Sequence, residues 1–181
     1  MRKTVLVLVG CLVMVTGPAW AGGAFSLFGT YGQTNQWNNS FGAGARVSFG
    51  GERFMGDLTA TWFPSNNGVV AKSGNEKIYD NLQIIPLDIG VRWMFSPGSE
   101  LRPYVGAGAS YTLVSLSQGE ADDEWGYYGM AGLGIFLFDG EGGFYLEALY
   151  RKTAATLDYG ASSFDVDLGG FAGSIGFMWT F

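Results

Sequence analysis

The sequence predicts an all-β fold, an eight-stranded antiparallel up-and-down barrel that spans a membrane. Three observations predict it. The last stretch, Gly169 to Phe181, alternates two residues at a time: Phe171, Gly173, Ile175, Phe177, Trp179 and Phe181 form one phase, and Gly170, Ala172, Ser174, Gly176, Met178 and Thr180 the other. Period two means a strand with two different faces. A large apolar face opposed by a small, mildly polar one suits a barrel in lipid, where lipid-facing and lumen-facing residues alternate. Second, stretches near ten residues with this alternation recur along the chain, the length of a tilted span of the hydrocarbon layer. Third, the chain is 16% aromatic and has 30 glycines, and glycine with aromatic recurrence is a barrel cue.

The front of the chain reads as a cleaved leader, residues 1–21. Arg2 and Lys3 are basic, Val5 to Val15 is an apolar run, and Ala19-Trp20-Ala21 is an A-x-A cleavage site. The run is too short and too early for a membrane-spanning helix. Leu8-Val9-Gly10-Cys11 looks like a lipoprotein box, but the apolar run continues past it, so Cys11 is read as part of the leader. Gly22 to Phe181 then forms one barrel domain without cysteine, which excludes disulfides and thiol chemistry. The net charge of −6 becomes more negative once Arg2 and Lys3 are gone. That argues against nucleic acid as a partner.

Eight strands follow in order. The first is Ala24 to Gln33, with Phe25, Leu27 and Tyr31 in one phase. Ser40 to Phe49 is the second, closed by the tight turn Gly50-Gly51. Arg53 to Phe63 is the third. A long polar loop, Pro64 to Asp80, precedes the fourth, Leu82 to Phe95, where Pro86 predicts a bulge or irregularity because it cannot donate to a ladder. Ser96-Pro97-Gly98-Ser99 is a tight turn. The fifth strand is Arg102 to Leu113, the sixth Trp125 to Phe138, the seventh Phe144 to Lys152. The acidic loop Gln118 to Glu124 and the loop Thr153 to Ser163 separate pairs of strands before the terminal one. Short and long connections alternate, as they do where short turns are periplasmic and long loops are outside, so both mature termini are expected in the periplasm.

A final strand of alternating apolar residues ending on Phe, with Phe177, Trp179 and Phe181, resembles the C-terminal assembly signal of Gram-negative outer-membrane barrels. Together with Arg102-Pro103-Tyr104-Val105-Gly106-Ala107-Gly108 and Phe144-Tyr145-Leu146-Glu147-Ala148-Leu149-Tyr150-Arg151, it makes the chain similar to small eight-stranded barrels of the OmpA membrane-domain, OmpX and OmpW type. The resemblance implies a cell outer-membrane location. It implies contact with outer-membrane lipid and lipopolysaccharide, and with the barrel assembly machinery through the last strand. No peptidoglycan-binding domain follows Phe181, so an anchoring role is not expected.

The charges give an internal test. Within the expected strands, Lys152 at the very end of the seventh aside, the charged residues are Arg46, Arg53, Asp57, Asp88, Arg92, Arg102, Glu147 and Arg151. Arg53 with Asp57, Asp88 with Arg92, and Glu147 with Arg151 are each four apart on one strand, hence on one face. That face is opposite the large apolar one. All eight are therefore expected inside, where they pair, because an arginine at mid-depth facing lipid costs ~2–4 kcal/mol and unpaired buried charge is strongly unfavourable. The set reads either as a network that fills and holds the barrel or as a gate on a narrow path. Inner-phase glycines (Gly42, Gly44, Gly90, Gly106, Gly108, Gly132, Gly134, Gly176) leave two alternatives open. They make water-filled space, or they make room for large neighbours such as Tyr104, Tyr128 and Phe136.

The chain has no histidine. That excludes Ser-His-Asp catalysis and imidazole zinc sites, and, by what the resemblance implies, the His-dependent outer-membrane barrel enzymes. Asp57, Asp88 and Glu147 each have an arginine nearby and read as ion-pair members rather than acid–base catalysts. Glu120, Asp122, Asp123 and Glu124 form an acidic loop without the spacing of a calcium site. Lys72 and Lys77 are placed to meet lipopolysaccharide phosphates or to keep their loop soluble. No cofactor is expected. The expected function is a non-enzymatic outer-membrane barrel with a structural and surface-contact role, its loops open to a protein or host partner. The alternative is a narrow pore or transporter for ions or small apolar molecules. A closed barrel has no free edge, so a monomer is expected.

Overall fold

The computed structural model describes residues 22–34, 40–73, 76–116, 120–121, 124–137, 141–159, 162–167 and 169–181, with the side chains of 34, 65–82, 116, 120–121 and 154–166 excepted. The expected leader, residues 1–21, lies outside the described residues. So do Asp122 and Asp123 and the side chains of Lys72, Lys77 and Glu120.

The strands are β1 (Gly23–Thr34), β2 (Ser40–Gly50), β3 (Phe54–Ser73), β4 (Glu76–Met94), β5 (Leu101–Leu116), β6 (Glu120–Ala121), β7 (Glu124–Leu137), β8 (Gly142–Lys152), β9 (Ala154–Tyr159), β10 (Ser162–Asp167) and β11 (Gly170–Thr180). Eight of them close a barrel in the order β1-β11-β8-β7-β5-β4-β3-β2. Every neighbouring pair is antiparallel. Closure runs through β1 and β11, with Phe25 opposite Trp179 and Leu27 opposite Phe177. At the end where β1 begins and β11 finishes, Gly23 N–H donates to the Phe181 carbonyl and Phe181 N–H to the Gly23 carbonyl, each at 2.9 Å. Short turns share that end. Gly50 (φ 139°) and Gly98 (φ 82°) take a backbone conformation there that favours glycine.

The opposite, long-loop end differs from the sequence expectation. The stretch from Pro64 to Asp80, expected as a polar loop, is a continuation of β3 and β4 that pairs as far as Lys72 with Lys77 and Ser73 with Glu76. Val69, Val70, Ile78 and Tyr79 suit a strand, so pairing outlasts the barrel wall. Register shifts at Phe63/Asn66 and Val69/Ala71 absorb the mismatch, as bulges do. Likewise Thr153 to Ser163 is not a plain loop: β9 and β10 form a hairpin, and β6 joins it in a three-stranded sheet. Pro86 acts as expected. On the β5 side the ladder continues through Pro86 opposite Thr112, while on the β3 side it lapses between Ala60–Leu87 and Phe63–Ile84. The missing donor therefore falls towards β3.

Burial is inverted relative to a soluble sheet. Phe41, Phe54, Trp62, Val91, Trp125, Phe171 and Ile175 are exposed, whereas Ser26, Ser48, Asp57, Arg92, Ser110 and Thr112 are buried. Outward rings meet across strands near both ends. Phe54–Trp93 and Phe144–Phe177 are paired at the terminal end, and Tyr31–Phe41, Tyr111–Trp125 and Tyr150–Phe171 at the loop end. These are the positions of interfacial girdles on a bilayer-spanning barrel.

Candidate functional site

The inward phases of the eight strands converge on one interior, and that interior is the candidate site. Nearest the termini it is apolar: Ala24, Phe28, Met94, Tyr104, Phe136, Tyr145 and Met178 form one buried cluster. The charged side chains lie among and above these.

Among the described residues, three ion pairs occupy the lumen. Arg46 on β2 grips Glu147 on β8 with two parallel hydrogen bonds, Nη1 to Oε2 at 2.8 Å and Nη2 to Oε1 at 2.7 Å. Its Nε donates to Thr59 Oγ1 at 3.1 Å, and Tyr104 O–H donates to Glu147 Oε2 at 2.9 Å. Arg92 on β4 donates through Nη2 to Asp57 Oδ1 at 3.0 Å and to Ser48 Oγ at 2.8 Å, and Ser48 O–H donates to the same Asp57 oxygen at 2.7 Å. Arg151 on β8 donates through Nη2 to Asp88 Oδ2 on β4 at 2.6 Å and through Nε to Ser110 Oγ at 3.0 Å. The Arg46 guanidinium also lies over the Phe28 and Tyr145 rings, and that of Arg92 over Tyr104. Charge-assisted, bidentate bonds of this kind are the strong ones. β2 and β8, and β4 and β8, are each three steps apart in the barrel order, so two of the three pairs tie opposite walls together.

Two of the eight expected interior charges are elsewhere. Arg53 is exposed in the turn before β3, because the strand begins one residue later, at Phe54. Arg102 keeps the inward phase but sits at the terminal mouth of β5. There its Nε donates to the Ser99 carbonyl at 2.7 Å, and its guanidinium stacks 3.7 Å from the centroid of the Phe136 ring. The charges do not pair along a strand. Same-strand partners point the same way, but the ion pairs form across the interior or between neighbouring strands. The remaining three arginines and three acids cancel. The hydroxyl partners Ser48, Thr59, Tyr104 and Ser110 were not singled out from sequence as ligands of the charges; their inward phase was the available signal.

The inner glycines seat large side chains. A Cβ at Gly132 would run into the Tyr104 ring, at Gly134 into Phe136, at Gly106 into Met130, and at Gly42 into Phe63. Gly90 and Gly108 face each other in register, and Tyr128 covers both; Phe28 fills the space at Gly44 and Gly176. Of the two alternatives left by the sequence, room for large neighbours is the one realised at these positions.

Above the ion pairs the packing opens. A cavity of about 40 Å³ at the loop end is bounded by Phe63, Ile84, Pro86, Leu149, Thr112 and Arg151, among others. A smaller one of about 20 Å³ lies against Asp88, Glu147, Thr59 and Thr61 and shares Phe63, Leu149 and Arg151 with the first. Phe177, Trp179 and Phe181 take no part in the interior. Phe177 packs edge-on to Phe144 and Trp179, and Trp179 stacks on Phe25, all on the outer face.

Solved structures share this architecture. The crystal structure of the outer membrane protein OprG from Pseudomonas aeruginosa superposes with a TM-score of 0.73 at 17% identity, covering 91% of this chain and 98% of that one. Neisserial surface protein A gives 0.60 at 11% identity, covering 88% and 96%. The outer membrane protein AlkL, solved in lipid bilayers, gives 0.55 at 14%, covering 92% and 93%. At these identities the likeness speaks for the fold. No curated protein sequence matches the chain. Residues 30–181 match the model of the OmpW family. The match takes in all but the first few residues of the barrel, so the chain belongs to the OmpW family and is a β-barrel protein of the Gram-negative outer membrane.

Proposed function

We propose that this protein is a non-conducting, non-enzymatic barrel that acts through its long-loop end, with both mature termini in the periplasm. The observation that carries this is the closed lumen. An eight-stranded interior is just wide enough for side chains to fill, and here three cross-linked ion pairs and glycine-seated rings fill it. Asp57, Asp88 and Glu147 are each held by an arginine, so none is free to act as a general base. The loop end, with its extended hairpins, is left to meet lipopolysaccharide or a protein partner. The outward rings of β11, ending in Phe181, are the surface offered to the assembly machinery. Single-channel recording of refolded Gly22–Phe181 in a planar bilayer tests the reading. With folding verified by gel mobility, a silent membrane is expected; reproducible steps whose selectivity changes in Arg92→Ala would overturn it.

The loop-end cavity favours a second reading, uptake of small apolar molecules. Its walls are largely apolar, and the ion-pair layer closes it below, so a molecule entering there would not follow the axis of the barrel. Uptake of a hydrocarbon into cells, lost when Leu149→Trp fills the cavity, is the expected result if that reading holds.

A further inference from the structure

We infer that the outward face of β7 and β8 at the loop end is a docking surface for one phosphorylated glycolipid of the outer leaflet. Its phosphate meets Lys152, its sugar lies against Trp125, and an acyl chain fills the trough below Tyr127. This deepens the reading of the loop end as the surface that meets lipopolysaccharide and rests on it.

Charge singles out the place. Among the described side chains of the eight barrel strands, Lys152 is the one charged group in an outward phase; the arginines, aspartates and glutamates of those strands point inwards. Lys152 is exposed, ends β8, and stands in register with Tyr127. It belongs to none of the three ion pairs, and among the described residues its ammonium has no carboxylate partner. A lysine facing acyl chains is costly at mid-depth and is tolerated near the interface. Lys152 therefore marks the headgroup level, and the ring pairs Tyr111–Trp125 and Tyr150–Phe171 mark the same level. From the lipid side, the group that balances such a cation is an anionic headgroup. The strands above do not compete for it: β6, β9 and β10 carry Glu120, Asp158, Asp165 and Asp167 and neither lysine nor arginine.

The surface beneath fits the tail. Below Tyr127 the outward positions of β7 are Gly129 and Ala131, and those of β5 beside them are Ala107 and Ala109. A Cβ at Gly129 would meet nothing nearer than 4.0 Å. Tyr150 stands beside Gly129 on the β8 side, and Val91 and Ile89 stand beside Ala107 and Ala109 on the β4 side. These three are 40%, 62% and 55% exposed, so they rise above the small residues between them. The result is a trough that runs from Tyr127 towards the middle of the barrel. By itself it accepts any acyl chain. Lys152 at its head selects a chain whose headgroup is anionic, as a point charge selects phosphate. Trp125, one pleat nearer the loops and 68% exposed, adds a flat apolar face for a sugar ring.

Native mass spectrometry of refolded Gly22–Phe181 in detergent micelles, titrated with lipid, tests the inference. The probes are diphosphoryl lipid A, the same lipid A with both phosphates removed, and phosphatidylglycerol. Diphosphoryl lipid A should bind about fivefold tighter than its dephosphorylated form, the size of one lysine's attraction to an anionic headgroup, and tighter than phosphatidylglycerol. Lys152→Gln, at an exposed position and with folding verified by gel mobility, should erase the difference between the two forms of lipid A. Gly129→Leu blocks the trough and should weaken both forms alike. Lys72→Gln with Lys77→Gln should leave the phosphate preference as it is. A preference that survives Lys152→Gln would overturn the site and leave the contact of the loop end with lipopolysaccharide standing. Phosphatidylglycerol binding as tightly as diphosphoryl lipid A would overturn the glycolipid in favour of anionic lipid in general. No binding of either form of lipid A to the unaltered chain would overturn both the site and the lipopolysaccharide reading.

Discussion

Arg46 and Glu147 meet across the barrel from β2 and β8, joined by two hydrogen bonds of 2.8 and 2.7 Å with both side chains almost wholly buried. The two strands are separated in the wall by β1 and β11, the pair that closes the barrel. The bridge therefore spans the seam on the inside, where the backbone ladder of β1 and β11 spans it in the wall.

Breaking this bridge on one side should be much worse than removing it whole. Glu147→Leu leaves a buried guanidinium without its carboxylate, for an expected loss of about 3–5 kcal/mol. Arg46→Met with Glu147→Leu removes both charges, and the loss should shrink to about 1 kcal/mol, the worth of the Tyr104 hydroxyl's lost acceptor. Urea unfolding of the refolded barrel from lipid vesicles, followed by tryptophan fluorescence, measures both. Equal losses would mean that the pair contributes no more than its separate halves.

The glycine seats make a sharper contrast. At Gly132 a methyl group would collide with the Tyr104 ring and crowd the Leu146 carbonyl at 2.8 Å, whereas at Gly29, on the outer face, nothing lies within 4 Å. Gly132→Ala should lower stability by about 1–3 kcal/mol, the usual cost of overpacking. Gly29→Ala should not destabilise. Unfolding midpoints of the two variants, compared with the unaltered chain, decide whether the inner glycines are there for packing.

The barrel was legible in the sequence because period two writes both faces of each strand directly into the order of residues, and the requirement that charge avoid lipid then chose the face. The eight barrel strands follow from Phe171 to Phe181 and its seven counterparts. Two things were less legible. Arg53 is adjacent to a strand by number but outside it by one residue, and periodicity does not fix where a ladder begins. The partners of the charges were hidden for a different reason. Alternation says that Asp88 and Arg92 point inwards together, but it carries no information about which strand lies across the lumen. That depends on barrel order and stagger, and these brought Arg151 to Asp88 and Arg92 to Asp57. The hairpins of β3–β4 and β9–β10 lie in stretches whose turn residues mask the strand signal of the β-branched and aromatic residues that flank them.

The outer face should respond to charge as lipid-facing protein does. Ile175 is 62% exposed at the middle of β11. On a soluble protein, arginine at such an exposed position changes stability by no more than about 0.5 kcal/mol. At the middle of a bilayer it costs ~2–4 kcal/mol. Unfolding of Ile175→Arg from vesicles should show the larger value, and the penalty should fall for Tyr31→Arg, nearer the loop-end girdle. A small, depth-independent effect would mean that this face does not contact acyl chains.

Phe181 separates two roles of the last residue. Its backbone exchanges a pair of 2.9 Å hydrogen bonds with Gly23, while the residue as a whole is 79% exposed and its ring edge lies over Gly23 on the outer side. The backbone bonds need a residue at this position, not an aromatic one. Phe181→Ala should therefore refold in detergent with the same gel mobility and nearly the same unfolding midpoint as the unaltered chain. Removing residue 181 altogether deletes both bonds and should loosen the β1–β11 seam at its terminal end, lowering the midpoint. If the ring is read by the assembly machinery, Phe181→Ala should still lower the amount of folded barrel in the outer membrane of cells, because that defect arises before the barrel closes. Normal cellular levels of Phe181→Ala, beside a destabilised truncation, would assign the terminal residue to seam closure and leave the recognition of β11 to Phe177 and Trp179.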